Sequence, residues 1–281
     1  MGLTRDRYRT RLPIKCSYDK HYWKDLTLNN CYLAGHLAAD GCIKEHKPGH
    51  YSFCVDISLD DESIIDNYYK ELKFNGKRYY YDKLTPSGLR TTKFVSMTVS
   101  CFNENAEYLY KHFNLVPNKT RRLRPPNFEN KYFKFAYLIG LIDGDGSIGA
   151  SGSQGGKYRK SPFLSYSSCS KDIVDWIKEM VDNNSCPSSR NELSKVLKIK
   201  NSNCYSYNVS CLRAAVIINY LRQFPVPKLA RKWENPEVLA YIEEKKAKYP
   251  DLFIVPDPAE LAALMPKPAP TTEPISPAII T

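Results

Sequence analysis

Between residues 51 and 59, Tyr51, Phe53, Val55, Ile57 and Leu59 alternate with Ser52, Cys54, Asp56 and Ser58, the two-residue period of a strand with one apolar and one wet face. Residues 94–100 repeat the pattern, with Val95, Met97 and Val99 set against Ser96, Thr98 and Ser100. Farther along, Tyr205, Tyr207 and Val209 oppose Ser206, Asn208 and Ser210, and in "LKIK" Leu197 and Ile199 oppose Lys198 and Lys200. These segments predict antiparallel strands covered on one side. Between them, "DESIIDNYYKEL" and "SKDIVDWIKEM" open on capping residues and continue with helical spacing.

The pattern occurs twice. "LAGHLAADG" begins at Leu33 and "LIGLIDGDG" at Leu138, and three later landmarks keep step: Ile64 with Ile173, the "VSC" ending at Cys101 with that at Cys211, and Lys119 with Lys228. Four landmarks in one order indicate a tandem duplication. Each copy reads as a motif helix, two strands, a helix, two strands and a helix, an α+β unit with helices on one sheet face. The expected boundaries are an N-terminal extension over 1–24, a first repeat over 25–119, a basic linker over 120–131, a second repeat over 132–245 and a tail over 246–281. That tail holds 8 of the 19 prolines and is expected to be disordered.

Charge narrows the partner. Forty-one Lys and Arg against 30 Asp and Glu leave a net +11, an excess that suits a polyanion, nucleic acid first and anionic membrane second. The longest aliphatic run, "AAVII", is far too short to span a membrane, and "MGLTRDRYRTR" lacks the apolar core of a secretory signal. Nine cysteines without a C-x-x-C pair signal neither a disulfide framework nor a zinc knuckle, and are expected to be reduced thiols.

The wet sheet faces carry donors and acceptors as well as charge: Lys44, Ser52, Arg78, Tyr80, Ser96 and Thr98 in the first copy, Arg159, Lys198, Lys200, Ser206 and Asn208 in the second. A two-stranded ribbon fits the DNA major groove, so this face suits duplex DNA. In the motif helices, Gly35 and Ala39 are four apart, as are Gly140 and Gly144. Each helix thus has one stripe without bulk, and two such stripes can pack closely. Their tips would then bring Asp40 and Asp145 together. Each acid lies at the negative end of a helix dipole and repels the other, a costly arrangement unless a divalent cation such as Mg2+ is bound.

Both motifs resemble those of the LAGLIDADG homing endonucleases, specifically the single-chain class with two copies, over roughly residues 25–245. The resemblance implies an αββαββα fold per copy, two antiparallel sheets forming a saddle over DNA, and a monomer that hydrolyses one phosphodiester per strand of a long asymmetric target. It places metal at Asp40 and Asp145 with the adjoining Gly41 and Gly146. It assigns two or three Mg2+ ions, with Mn2+ able to substitute and Ca2+ binding without supporting cleavage. It also places a lysine of each half near the scissile phosphates, for which Lys119 and Lys228 are the candidates. His36 stands where the family has an apolar residue and Ala38 where it often has an acid, changes read as helix packing. The same resemblance covers intron-splicing maturases, with intron RNA as partner, and cleavage-inactive DNA-binding derivatives. The setting expected is intracellular, an organelle matrix or the cytoplasm of a prokaryotic or phage-infected cell.

Overall fold

The computed structural model describes residues 16–84, 91–152, 160–186 and 194–266. The first half runs α1 (Leu28–Ala39), β1 (Gly41–Lys47), β2 (His50–Ser58), α2 (Glu62–Glu71), β3 (Tyr79–Leu84), β4 (Thr91–Phe102) and α3 (Asn103–Phe113). The second runs α4 (Lys131–Asp145), β5 (Gly146–Ser151), β6 (Ser161–Ser168), α5 (Lys171–Asn184), β7 (Leu197–Lys198), β8 (Tyr205–Ser210) and α6 (Cys211–Arg222). Both four-stranded antiparallel sheets have the same order, β1-β2-β4-β3 and β5-β6-β8-β7. The chain is therefore α+β, with αββαββα in each half.

Local chemistry explains where the motif helices start. Thr27 caps α1 in a reciprocal box: its hydroxyl accepts from the Asn30 N–H at 3.2 Å while the Asn30 amide oxygen accepts from the Thr27 N–H at 3.0 Å. Asn130 caps α4 by accepting from the Tyr132 N–H at 2.8 Å. Neither helix has a polar face, because each is buried on nearly all sides.

In the first half Phe53, Val55, Ile57, Val95, Met97 and Val99 form the inner sheet face, covered by Ile64, Ile65 and Tyr68 of α2 and Leu109 and Phe113 of α3. In the second, Leu164, Tyr166, Tyr207 and Val209 meet Ile173, Val174, Ile177 and Val181 of α5 and Ile217, Ile218 and Leu221 of α6. Burying each such side chain contributes about 1.5–3 kcal/mol.

The tail departs from expectation. Beyond α7 (Ala230–Trp233), α8 (Pro236–Lys248) crosses the boundary expected at 245, and α9 (Pro258–Ala263) follows. Phe253 and Leu261 are buried, and the Leu264 carbonyl accepts from the Leu28 N–H at 3.0 Å, so the chain as far as 266 packs against the start of α1. Residues 267–281 lie outside the described residues. The N-terminal extension also contributes to the core, through fully buried Trp23. Among the cysteines, Cys169 and Cys204, at the adjacent ends of β6 and β8, form a disulfide rather than two free thiols. No helix of the described residues is long and apolar enough to cross a membrane.

Candidate functional site

The site begins with glycine. A Cβ built on Gly35 would lie 2.0 Å from the Tyr137 carbonyl oxygen, and one on Gly140 2.0 Å from that of Tyr32. Gly144 faces Ala39, where an added Cβ would come within 2.3 Å of the Ala39 Cβ. These four small residues let α1 and α4 touch backbone to backbone. At the tips, each helix turns straight into a strand, β1 at Gly41 and β5 at Gly146. A side chain on either glycine would strike the helix it leaves, 2.6 Å from the Leu37 carbonyl or 2.8 Å from that of Ile142.

Asp40 caps the end of α1 and Asp145 is the last residue of α4, so the packing brings the two acids to one place. Burial and then the neighbouring Asp145 carboxylate push the Asp40 carboxyl up to about 6. Burial raises that of Asp145 as well, opposed by Lys119 and Lys232. Each carboxylate is thus in a position a divalent cation would relieve.

The donor set fits a hard ion. Among the described residues no group of three or more His, Cys, Asp and Glu can hold a metal. An ion at this carboxylate pair would take its other ligands from water and phosphate, the coordination Mg2+ favours. Gly146 is a poorer ligand than expected, since its carbonyl already accepts from the Lys232 ammonium at 2.8 Å. Gly41 lies beside Asp40 as the first residue of β1, opposite Val55.

Two lysines flank the acids, and one is not the residue expected. Buried Lys119 donates from Nζ to the Ala38 carbonyl at 2.5 Å and the Ala39 carbonyl at 3.2 Å, closing the end of α1. Its counterpart is Lys232, whose Nζ donates to the carbonyls of Ile142 (2.8 Å), Asp143 (2.6 Å), Gly144 (3.2 Å) and Gly146 (2.8 Å) at the end of α4. Desolvation lowers the pKa of both ammonium groups while the acids pull it back up. Lys228 instead donates to the carbonyls of Arg222 (3.2 Å) and Phe224, finishing α6, and burial pushes its pKa down to about 8. The assignment of Lys228 to the acid site is therefore corrected to Lys232. Lys232 lies four residues beyond Lys228, inside the short helix Ala230–Trp233, which aims it at the tip of α4.

Asp143 is not exposed to the site. It accepts from Tyr32 Oη (2.8 Å), Trp233 Nε1 (2.6 Å) and the Leu229 N–H (3.1 Å), tying α1, α4 and the segment around α7 together. In the first half Ala38 takes that place, while His36, buried where the second half has Leu141, holds Nε2 3.7 Å from Asp40 Oδ2. Burial and the nearby Lys232 push the imidazole pKa down to about 3, leaving it neutral.

On the outer sheet faces Lys44, Thr98 and Asn208 are exposed, and Ser96 and Ser206 partly so. Ser52 shares that face but is buried, its hydroxyl 2.8 Å from His46 Nε2. Arg78 precedes β3 and turns to α2, paired with Glu62 (3.0 Å) and Asp66 (2.6 Å) and stacked over Tyr69. Tyr80 lies opposite core residue Val95 and donates to Glu62 at 2.6 Å; the outer face carries Tyr79 and Tyr81 instead, opposite Ser96 and Phe94. In β7 the expected faces are reversed. Leu197 lies opposite outer-face Ser206, and Lys198 opposite Tyr205; a one-residue slip moves every side chain across the sheet. Lys200 and Ile199 fall in the turn beyond β7, both exposed. Sequence reasoning missed Ser147 and Ser165, which adjoin Asn208 across β5, β6 and β8. Arg159 lies outside the described residues.

Among solved structures, the chain is similar to the I-LtrWI LAGLIDADG homing endonuclease bound to target DNA, at 15% identity over 82% of this chain and 92% of that one, with a TM-score of 0.48. It is similar to I-SmaMI bound to an uncleaved DNA target in the presence of calcium ions, at 12% identity over 84% and 97% of the two chains, TM-score 0.47. A third is the LAGLIDADG meganuclease I-AabMI bound to uncleaved DNA, at 14% identity over 84% and 95%, TM-score 0.44. No family model and no curated protein matches the sequence.

Proposed function

We propose that the protein is a site-specific endonuclease that cuts both strands of duplex DNA with divalent metal, Mg2+ first. One observation carries this reading: Asp40 and Asp145, one from each half, meet at the tips of two helices packed through glycine, with a buried lysine behind each tip. Metal bound there would polarise the scissile phosphates and ease release of the 3′ oxygen. The chain's own contribution is placement. Asp40 and Asp145 would hold the ion, and Lys119 and Lys232 offset the carbonyl ends of α1 and α4 from which the two acids project. The outer sheet faces, with Lys44, Thr98, Ser206 and Asn208, would run along the major groove on either side. Because the halves differ in sequence, the target would be long and asymmetric. Both acids come from one chain, so one copy completes the site.

The test is selection from a plasmid library of random inserts, incubated with Mg2+ or with EDTA. Linear product that requires Mg2+ and disappears in Asp40→Asn and Asp145→Asn variants supports the reading. Cleavage unchanged in both variants defeats it.

A further inference from the structure

The segment joining the halves is held at both ends. On the first-half side, Lys119 is anchored at the tip of α1, and Asn114 Nδ2 donates to the Pro125 carbonyl at 2.5 Å. On the second-half side, the Leu123 carbonyl accepts from Ser170 Oγ at 2.5 Å, in the N-cap residue of α5. Leu123, Pro126 and Phe128 are buried, and the Phe128 ring meets Phe113 edge-on at 5.6 Å. Between these anchors, Arg121, Arg122 and Arg124 are all exposed.

None of the three belongs to an ion pair among the described residues, whereas Arg78, Arg213 and Arg231 each hold a carboxylate. Three guanidinium groups within four residues repel one another, and a polyanion removes that repulsion. Their place is specific. Thr120 and Leu123 line a cavity of about 320 Å³ together with Asp145 and Lys119, so Arg121 and Arg122 stand between two residues of its wall. Lys119–Arg121 form a single 3-10 turn that Arg122 closes, and irregular backbone follows from Leu123, so the three guanidinium groups leave the chain at one tight turn and its exit.

We infer that this segment is a basic strap, in which Arg121, Arg122 and Arg124 contact backbone phosphates of duplex DNA beside the acid pair, joining the two sheet footprints at their centre. The inference rests on the DNA reading above and adds a contact that neither sheet supplies. The contacts would be to backbone and so independent of sequence.

Binding of a labelled duplex, followed by fluorescence anisotropy in EDTA across a salt series, tests it. The comparison uses wild type, the triple variant Arg121→Ala, Arg122→Ala, Arg124→Ala, and the corresponding triple lysine variant. The alanine variant should reduce the slope of log K against log salt by about 3 and weaken binding about 100-fold near 0.15 M salt. Lysine at the three positions should restore the slope, and all three proteins should unfold at the same temperature. A wild-type slope in the alanine variant overturns the strap while leaving the DNA reading in place. Loss of binding to a hairpin RNA alone, with duplex binding intact, overturns the assignment to DNA. Failure of wild type to bind any duplex removes both together.

Discussion

Gly140 lies so close beneath Tyr32 that a methyl group in place of its hydrogen would sit 2.0 Å from the Tyr32 carbonyl oxygen. No side-chain rotation relieves such a contact, because both partners are backbone. Gly140→Ala should therefore force α1 and α4 apart, at a cost of about 3 kcal/mol, measurable as a lower urea midpoint. Gly35→Ala, which meets the Tyr137 carbonyl at the same distance, should behave alike. Cleavage should fall further than stability does, since the helices carry the acids.

Removing metal should expose the repulsion at the tips. Asp40 has its pKa raised to about 6 in the fold, above its ordinary value, so protonation favours the folded state. In EDTA that contribution is present at low pH and is lost as pH rises through about 6. It amounts to about 1–2 kcal/mol once screening of a carboxylate that is about one-third exposed is allowed for. Thermal unfolding at pH 7.5 should show Asp40→Asn more stable than wild type in EDTA. Ca2+ should raise the wild-type midpoint and leave that of Asp40→Asn nearly unchanged.

The lysines separate cleanly. Lys232→Met removes the ammonium that the carbonyls of Ile142, Asp143, Gly144 and Gly146 share where α4 meets β5, and cleavage should fall about 100-fold. Lys228→Met removes the cap of α6 and should cost about 1–2 kcal/mol of stability with little change in cleavage. Parallel kinetic and urea measurements on the two variants distinguish the roles. The reverse outcome would reinstate Lys228.

His36 makes the halves unequal. His36→Leu copies the second half, where Leu141 occupies the matching place, and withdraws the polar neighbour 3.7 Å from Asp40. Nicking should slow about tenfold on one strand only. Gels with each strand labelled separately measure this, and equal slowing of both strands would mean the imidazole only packs.

What the sequence revealed follows the strength of each local pattern. The duplicated glycine-and-acid motif specifies a close helix pair, because few other arrangements use Gly35, Gly140 and Gly144 at one stripe. Strand faces were legible where alternation is long, as in β2, β4 and β8. They were not in β3, where three consecutive tyrosines carry no alternation, or in β7, only two residues long at a sheet edge. Lys228 misled because its "P-V-P-K" context matches that of Lys119, while the short helix that passes the role to Lys232 leaves no mark in sequence. The packed tail did leave one: Asp257 before Pro258 is a helix start, with Leu261 positioned to bury. The proline count outweighed it.

Asp40 and Asp145 are expected to share an ion. Anomalous diffraction from crystals grown with Mn2+ and a duplex tests this most directly. The prediction is a manganese peak bridging the carboxylates of Asp40 and Asp145, absent from crystals of Asp40→Asn. Manganese bound elsewhere, with the space between those two side chains empty, would contradict it.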